Sequence, residues 1–124
     1  MNKPFVLLWM IFMHIVDDYR LQGILASMKQ KSWWREHPQY KPKYQYDYIV
    51  ALLMHSFSWA FMIMLPIMIV NGFGVTFNMI LALAVNLLVH GIVDDLKANK
   101  MKINLWQDQA IHILQIVVTF LIFV

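Results

Sequence analysis

The chain has 124 residues, of which 60% are hydrophobic and 14% are charged, and this composition favours a single membrane domain. Soluble proteins carry roughly 25% charged residues, so helices in lipid explain the mean hydropathy of +0.57 better. The chain contains no cysteine, which excludes disulfides, thiolate metal sites and cysteine nucleophiles. The basic residues behind the net charge of +3 are grouped in two short segments, which is typical of cytoplasmic loops and not of a surface that binds nucleic acid.

The sequence predicts an all-α fold, a four-helix transmembrane bundle that forms one domain over 1–124. The predicted helices lie at about 4–28, 48–70, 75–96 and 104–124. The last three are each close to the ~20 residues that a helix needs to cross the hydrocarbon core. The first contains an uninterrupted apolar run of 12 residues, Phe5 to Val16, a length also found in signal peptides. Because that run leads directly into charged residues, we interpret it as a spanning helix with a polar inner end.

The connection between the first two predicted helices is both basic and aromatic. Its basic residues are Lys29, Lys31, Arg35, Lys41 and Lys43, and Trp33, Trp34 and several tyrosines are interleaved with them. Basic and aromatic side chains at a membrane edge indicate an interfacial segment that contacts anionic lipid headgroups. RNA binding is the alternative, but no base-stacking motif accompanies these residues.

The second basic connection contains Lys97, Lys100 and Lys102, and four spans would put it on the same side of the membrane as the first. By the positive-inside rule this side is cytoplasmic, so both termini of the multi-pass chain are predicted to lie outside. Lys3, near the N-terminus, favours the opposite orientation.

Histidine and aspartate recur at a fixed helical spacing. Three pairs separated by four residues share one helix face each: His14 and Asp18, His90 and Asp94, and Asp108 and His112. Because neighbouring helices run in opposite directions, the reversed order in the last pair places every Asp nearer the cytoplasm and every His one turn deeper. His55, on the second helix, falls at the depth of the other histidines. We therefore predict a His layer and an Asp layer about 6 Å apart.

Three carboxylates at one depth of a membrane require a positive partner. An Asp near the centre of a membrane helix costs about 2.5–3.5 kcal/mol on insertion scales, and like charges also repel. Protons, Lys97, Arg20 or a metal ion could compensate, and imidazoles are good ligands for Zn²⁺, Mn²⁺ and Fe²⁺. We predict one or two divalent metal ions, with a purely structural polar network as the alternative. The candidate ligands are His14, Asp18, His55, His90, Asp94, Asp108 and His112.

The remaining polar residues are predicted to lie outside the set of metal ligands. Gln22, Asn86 and Gln109 are predicted to orient the ligands. Asp17 and Asp95 lie about 100° around the helix from their neighbours, so we interpret them as caps or as partners of Arg20 or Lys100. His37 is interpreted as a solvated loop histidine, and the ten methionines as packing residues.

The motifs together resemble a small family of bacterial and phage membrane proteins known as domain of unknown function family 3307. The resemblance rests on "HIVDDYRLQG", the single His55, "HGIVDDLK" and "WQDQAIH", and it covers nearly the whole chain. The matching positions are His14, Asp18, Leu21, Gln22, His55, His90, Asp94, Lys97, Asp108, Gln109 and His112. The resemblance implies a location in the inner membrane of a bacterium, and a phage-encoded origin would suit the small size. It implies no mechanism, because the family itself has no assigned function.

Three functions remain open at this point. The His and Asp pattern more loosely resembles that of membrane-bound metal-dependent hydrolases, in which a metal-activated water would attack a phosphoester or other ester of a lipid-like substrate. Asp108 or Asp18 would then act as general base, and Lys97 would stabilise developing negative charge. The second function is metal or proton binding or transport without turnover, which would require a homo-oligomer for alternating access. The third is an interaction protein whose polar centre sets helix register and which acts on a host partner.

Overall fold

The computed structural model describes residues 2–124, and over this range the chain is all-α, as predicted, without a strand. The helices are α1 (Lys3–Val16), α2 (Leu25–Met28), α3 (Lys31–Arg35), α4 (Asp47–Val70), α5 (Phe77–Ala98) and α6 (Leu105–Phe123). A π-helical turn, Asp17–Leu21, follows α1 directly, and a 3-10 turn, Pro42–Tyr44, precedes α4.

Three of the helices are long and apolar enough to cross a membrane: the stretch Pro42–Val70 that contains α4, then α5 and α6. α1 alone, with 14 residues, is shorter than these three. Large apolar side chains remain exposed on the outer faces of all of them, among them Phe12, Phe57 and Leu121. Exposed apolar surface of this extent generally marks contact with a membrane or with another protein.

The predicted first helix, 4–28, is not continuous in the structure. α1 and its π-helical turn end near Gln22, and Gly23 adopts a φ of +52°, a conformation that glycine enters without steric penalty. The chain then forms the short helices α2 and α3, which pack against α4. Because of this break, residues 25–35 pack against α4 and do not continue α1.

Local sequence signals explain where the long helices begin and continue. The Thr76 hydroxyl accepts a hydrogen bond from the backbone N–H of Met79 and caps α5. Asn104 and Gln107 form a reciprocal capping box at the start of α6. α4 runs without a break through Pro66, which is buried, as membrane helices tolerate when neighbours pack around them.

The core has an apolar half and a polar half. The apolar half lies toward the α4–α5 turn and consists of Val6, Met10, Trp59, Ala60, Ile63, Met64, Ile67, Met68, Met79 and Ile116. The polar half lies toward the two basic connections, where α1 ends and α6 begins.

A glycine allows α4 and α5 to approach closely beside the polar half. A Cβ atom added at Gly91 would lie 3.0 Å from the hydroxyl oxygen of Ser56, a separation that real Cβ atoms rarely show. His55 and His90 each precede one of these two residues in sequence. The small residue therefore helps to bring the two imidazoles together across the helix pair.

Candidate metal site

The structure gathers the predicted His and Asp side chains into one buried cluster. Eight polar residues, each at most 8% exposed, line the polar half of the core: His14, Asp17, Asp18, His55, His90, Asp94, Asp108 and His112. They come from α1 and its π-helical turn, α4, α5 and α6. The prediction of a buried His and Asp site that could hold a metal ion is confirmed.

Four ligand atoms stand at the centre of the cluster. His55 Nε2 lies 3.1 Å from His90 Nε2 and 3.2 Å from both Asp18 Oδ1 and Asp94 Oδ2. His90 Nε2 lies 3.8 Å from the same Asp18 oxygen and 3.5 Å from the same Asp94 oxygen. Around a tetrahedral ion with bonds of about 2.0–2.1 Å, neighbouring ligand atoms would stand ~3.3–3.4 Å apart. The five separations that involve a histidine nitrogen, 3.1–3.8 Å, are close to this spacing.

A second potential ligand set adjoins the first. Asp18, His55 and His90 form one group whose ligand atoms lie within 4.8 Å of one another, and His90, Asp94 and His112 form another. His112 Nε2 is 3.3 Å from Asp94 Oδ1, the carboxylate oxygen that does not face His55. Asp94 could therefore bridge two positions, as the two-ion alternative requires.

The tautomer of His112 indicates that a cation is needed at this point. The Gln115 side chain donates its N–H to Asn86, so its oxygen accepts a hydrogen bond from Nδ1–H of His112 at 3.1 Å. Nε2 of His112 then faces Asp94 Oδ1 and, at 3.2 Å, Asp108 Oδ1. A neutral imidazole with this tautomer would turn a lone pair toward two carboxylates, so a proton or a metal ion must lie between them.

His14 differs from the other three histidines. The indole N–H of Trp59 donates to His14 Nδ1 at 2.8 Å, and His14 Nε2 lies 2.9 Å from the Gln109 carbonyl oxygen. Both ring nitrogens are thus hydrogen-bonded to protein groups, which leaves no free lone pair for a metal. The structure places His14 at the edge of the site, where it orients Gln109.

Gln109 and Gln22 contact the cluster directly, whereas Asn86 reaches it through another residue. The Gln109 amide donates to Asp108 Oδ2 at 2.9 Å and to Asp18 Oδ2 at 3.4 Å. Gln22 donates to the backbone carbonyl of Asp18 and therefore holds the π-helical turn. Asn86 bonds Gln115 and Thr119, so its link to His112 is indirect.

Asp17 belongs to the buried site, although its sequence position predicts an outer role. Asp17 is the C-cap residue of α1, but its predicted pairing with Arg20 or Lys100 is wrong, because the carboxylate is fully buried and accepts a hydrogen bond of 2.6 Å from Ser58. Its second oxygen faces His55 Nδ1 at 3.9 Å, and neither atom has a hydrogen-bond partner within residues 2–124. A small closure would produce the carboxylate–histidine arrangement that orients metal ligands. Asp95, in contrast, lies near Lys100 as predicted.

Two lysines enter the cluster from the side of the basic connections. Lys29, which the sequence analysis assigned to the interfacial loop, donates to Asp94 Oδ2 at 2.7 Å. Lys97, which is more exposed, lies 3.4 Å from Asp108 Oδ2. Four carboxylates and two lysines leave two formal negative charges on a site whose histidines are neutral. A divalent cation would neutralise that charge, which is otherwise unfavourable in a buried site.

No protein-family model, curated protein or solved structure matches this chain. The geometry of the site therefore carries the functional argument.

Proposed function

We propose that this chain is an integral membrane protein that binds a divalent metal ion between the end of α1, α4 and α5. One observation carries the proposal: the Nε2 atoms of His55 and His90 lie 3.1 Å apart, and each is 3.2–3.8 Å from an oxygen of Asp18 and an oxygen of Asp94, close to the ligand spacing of a tetrahedral ion. Two imidazole nitrogens and two carboxylate oxygens in a tetrahedral set favour Zn²⁺. Mn²⁺ and Fe²⁺ are the alternatives that a metal analysis would separate.

The proposed membrane arrangement is a four-helix transmembrane bundle. α1 and its π-helical turn together cover Lys3–Leu21, which at 1.5 Å per residue is about 28 Å and close to the thickness of the hydrocarbon core. α1 buries Val6 and Met10 and exposes Phe5, Leu8 and Phe12, as a lipid-facing helix would. The basic connections would then face the cytoplasm of a bacterium, where they would meet anionic headgroups, and both termini would lie outside.

We further propose that the chain is related to domain of unknown function family 3307. Ten of the eleven matching positions are polar, and each of these lies in the buried cluster or contacts a residue of it. The residues behind the resemblance are thus those that a metal site needs.

The reaction that we propose for this site is hydrolysis of a phosphoester or other ester in a lipid-like substrate. The metal, when bound, would supply a Lewis acid. Asp108, whose Oδ1 lies 3.2 Å from His112 Nε2, would act as the general base that accepts a proton. Lys97, whose side chain is 38% exposed, would stabilise negative charge from the cytoplasmic side.

The burial of the ligands favours a second candidate, metal or proton binding without turnover. Asp18 and Asp94 are at most 8% exposed, and His55 and His90 are fully buried. A substrate would need a path to these atoms, whereas a metal ion or a proton needs much less space. The same chain could then act on a host membrane partner or in transport.

Elemental analysis of the detergent-purified protein tests the proposed function. We expect one zinc ion per chain, loss of that zinc in an Asp18→Ala, His55→Ala double variant, and full retention in a His37→Ala variant. His37 is a matched control because it is an exposed histidine in the connection. Absence of stoichiometric metal from the unmodified protein, or equal metal in the double variant, would contradict the proposal.

Hydrolysis assays on vesicles then separate the two candidates. Metal-dependent release of phosphate or fatty acid from lipid, abolished by Asp108→Ala, would support the enzyme. Stoichiometric zinc without any such release would support binding without turnover.

A further inference from the structure

Lys29 lies in the polar cluster, although the sequence places it in the basic connection between the first two predicted helices. The break at Gly23 carries the chain back toward α4, and the Lys29 side chain extends into the cluster with only 11% of its surface exposed. Its ammonium donates to Asp94 Oδ2 at 2.7 Å and to Gln22 Oε1 at 3.1 Å. Both partners belong to the group of predicted site residues.

The oxygen that Lys29 contacts is also one of the four proposed ligand atoms. Asp94 Oδ2 lies 3.2 Å from His55 Nε2 and 3.5 Å from His90 Nε2, on the side where the metal would sit. An ammonium at 2.7 Å and a divalent ion on the same carboxylate oxygen repel each other strongly at such short range. The two cations therefore cannot both be bound at full strength.

We infer that the Lys29 ammonium is a built-in counter-cation that competes with the metal ion for Asp94. This inference rests on the proposed function, because it assumes that the cluster binds metal. In the metal-free protein Lys29 neutralises part of the acidic cluster. When a metal ion binds, the ammonium leaves Asp94 Oδ2. The metal affinity then depends on the difference in free energy between the metal–Asp94 interaction and the Lys29–Asp94 interaction.

The backbone around Lys29 is anchored independently of its side chain. Asn99, just beyond α5, donates to the carbonyl oxygen of Lys29 at 3.0 Å and accepts from the backbone N–H of Lys31 at 2.7 Å. Asn99 also donates to Asp95, which fixes its own orientation. The flexible four-carbon stem of lysine can thus move the ammonium while the segment stays in place.

Zinc affinity in lysine variants of the full chain tests the competition. Dissociation constants would be measured in detergent by competition with a zinc-binding dye. We expect Lys29→Met to bind zinc at least tenfold more tightly than the unmodified protein, and Lys29→Arg, which keeps the charge, to stay within threefold of it. Lys100→Met is the matched control, and we expect less than threefold tightening, because the Lys100 side chain is 52% exposed and lies near Asp95, outside the cluster. A merely structural role for Lys29 predicts the opposite sign, since loss of packing would weaken binding.

Amine labelling of the unmodified protein provides a test that needs no variant. Zinc should increase the acetylation rate of Lys29 at least threefold, as measured by mass spectrometry, because the displaced ammonium becomes accessible. Lys41, which is exposed, should react at the same rate with and without zinc. Equal or weaker zinc binding in Lys29→Met, or an unchanged labelling rate of Lys29, would overturn the inference while the metal site itself stands. Absence of zinc binding in both proteins would overturn the proposed function instead.

Discussion

The two halves of the core are built from the same long helices but differ in what they require. In the apolar half, side chains such as Ile63, Met64 and Ile116 are fully buried and satisfy one another by packing. In the polar half, His55, His90 and their neighbours are equally buried but leave two negative charges uncompensated. The apolar half can therefore form from protein alone, whereas the polar half requires bound protons or a metal ion. We therefore expect substitutions in the apolar half to change mainly the free energy of unfolding, and substitutions in the polar half to change mainly the metal affinity.

The strongest way to break the polar half is to remove one ligand charge. We expect Asp18→Asn to weaken zinc binding at least ~10³-fold, beyond the ~10–100-fold typical of losing an outer partner. The metal-free variant should unfold at the same or a higher denaturant concentration, because one of the repelling carboxylates is gone. Dye competition and a denaturant titration check the two effects. An Asp18→Asn variant that is less stable but still binds zinc would contradict the assignment of metal binding to the polar half.

A cavity in the apolar half should destabilise the fold without removing the metal. Ile63→Ala should lower the free energy of unfolding by about 2–5 kcal/mol, since the side chain is fully buried among other apolar residues. The zinc content of the folded fraction should stay at one ion per chain. Unfolding in detergent followed by metal analysis gives both values, and loss of zinc from folded Ile63→Ala would show that the halves are coupled.

Asp17 sharpens the comparison because it lies at the edge of the polar half. We expect Asp17→Asn to weaken zinc binding about 10–100-fold, as removal of an outer carboxylate from a metal-bound histidine generally does. Asp95→Asn is the matched control, because Asp95 is likewise adjacent in sequence to a proposed ligand, Asp94, but lies near Lys100. Equal zinc affinity in both variants would remove Asp17 from the site.

The smallest expected effect comes from a helix cap outside both halves. Asn104→Ala removes the capping box of α6 and should lower the free energy of unfolding by about 1 kcal/mol. Zinc affinity should remain within twofold of the unmodified value, since the Asn104 side chain accepts a hydrogen bond from Gln107 and not from any of the four central ligands. A larger loss of affinity would mean that the position of α6 is set by its first turn.

The sequence predicted the convergence of the polar residues because regular helices conserve spacing. His90 and Asp94 lie on one face of α5, and Asp108 and His112 lie on one face of α6, so antiparallel packing was enough to bring them together. The His nitrogens lie 3.2–3.5 Å from the Asp oxygens, so the two layers predicted about 6 Å apart form one cluster. The three long apolar helices were predictable for a related reason, since length and hydropathy are local properties.

Three features could not be read from spacing. Asp17 and Asp18 are both buried because they face different neighbours, Ser58 and the imidazole nitrogen of His55, and both contacts depend on tertiary packing. Lys29 reaches Asp94 only because the chain turns at Gly23, a tertiary path that no periodicity encodes. The ring nitrogens of His14 are occupied by partners distant in sequence, so its role depends on packing.

X-ray absorption spectroscopy of the zinc-loaded protein tests the central claim most directly. The account predicts one zinc ion per chain with four nitrogen or oxygen ligands at about 2.0–2.1 Å, two of them imidazoles with their characteristic outer-shell scattering. A zinc ion surrounded by six oxygen atoms, or a spectrum without an imidazole contribution, would contradict it.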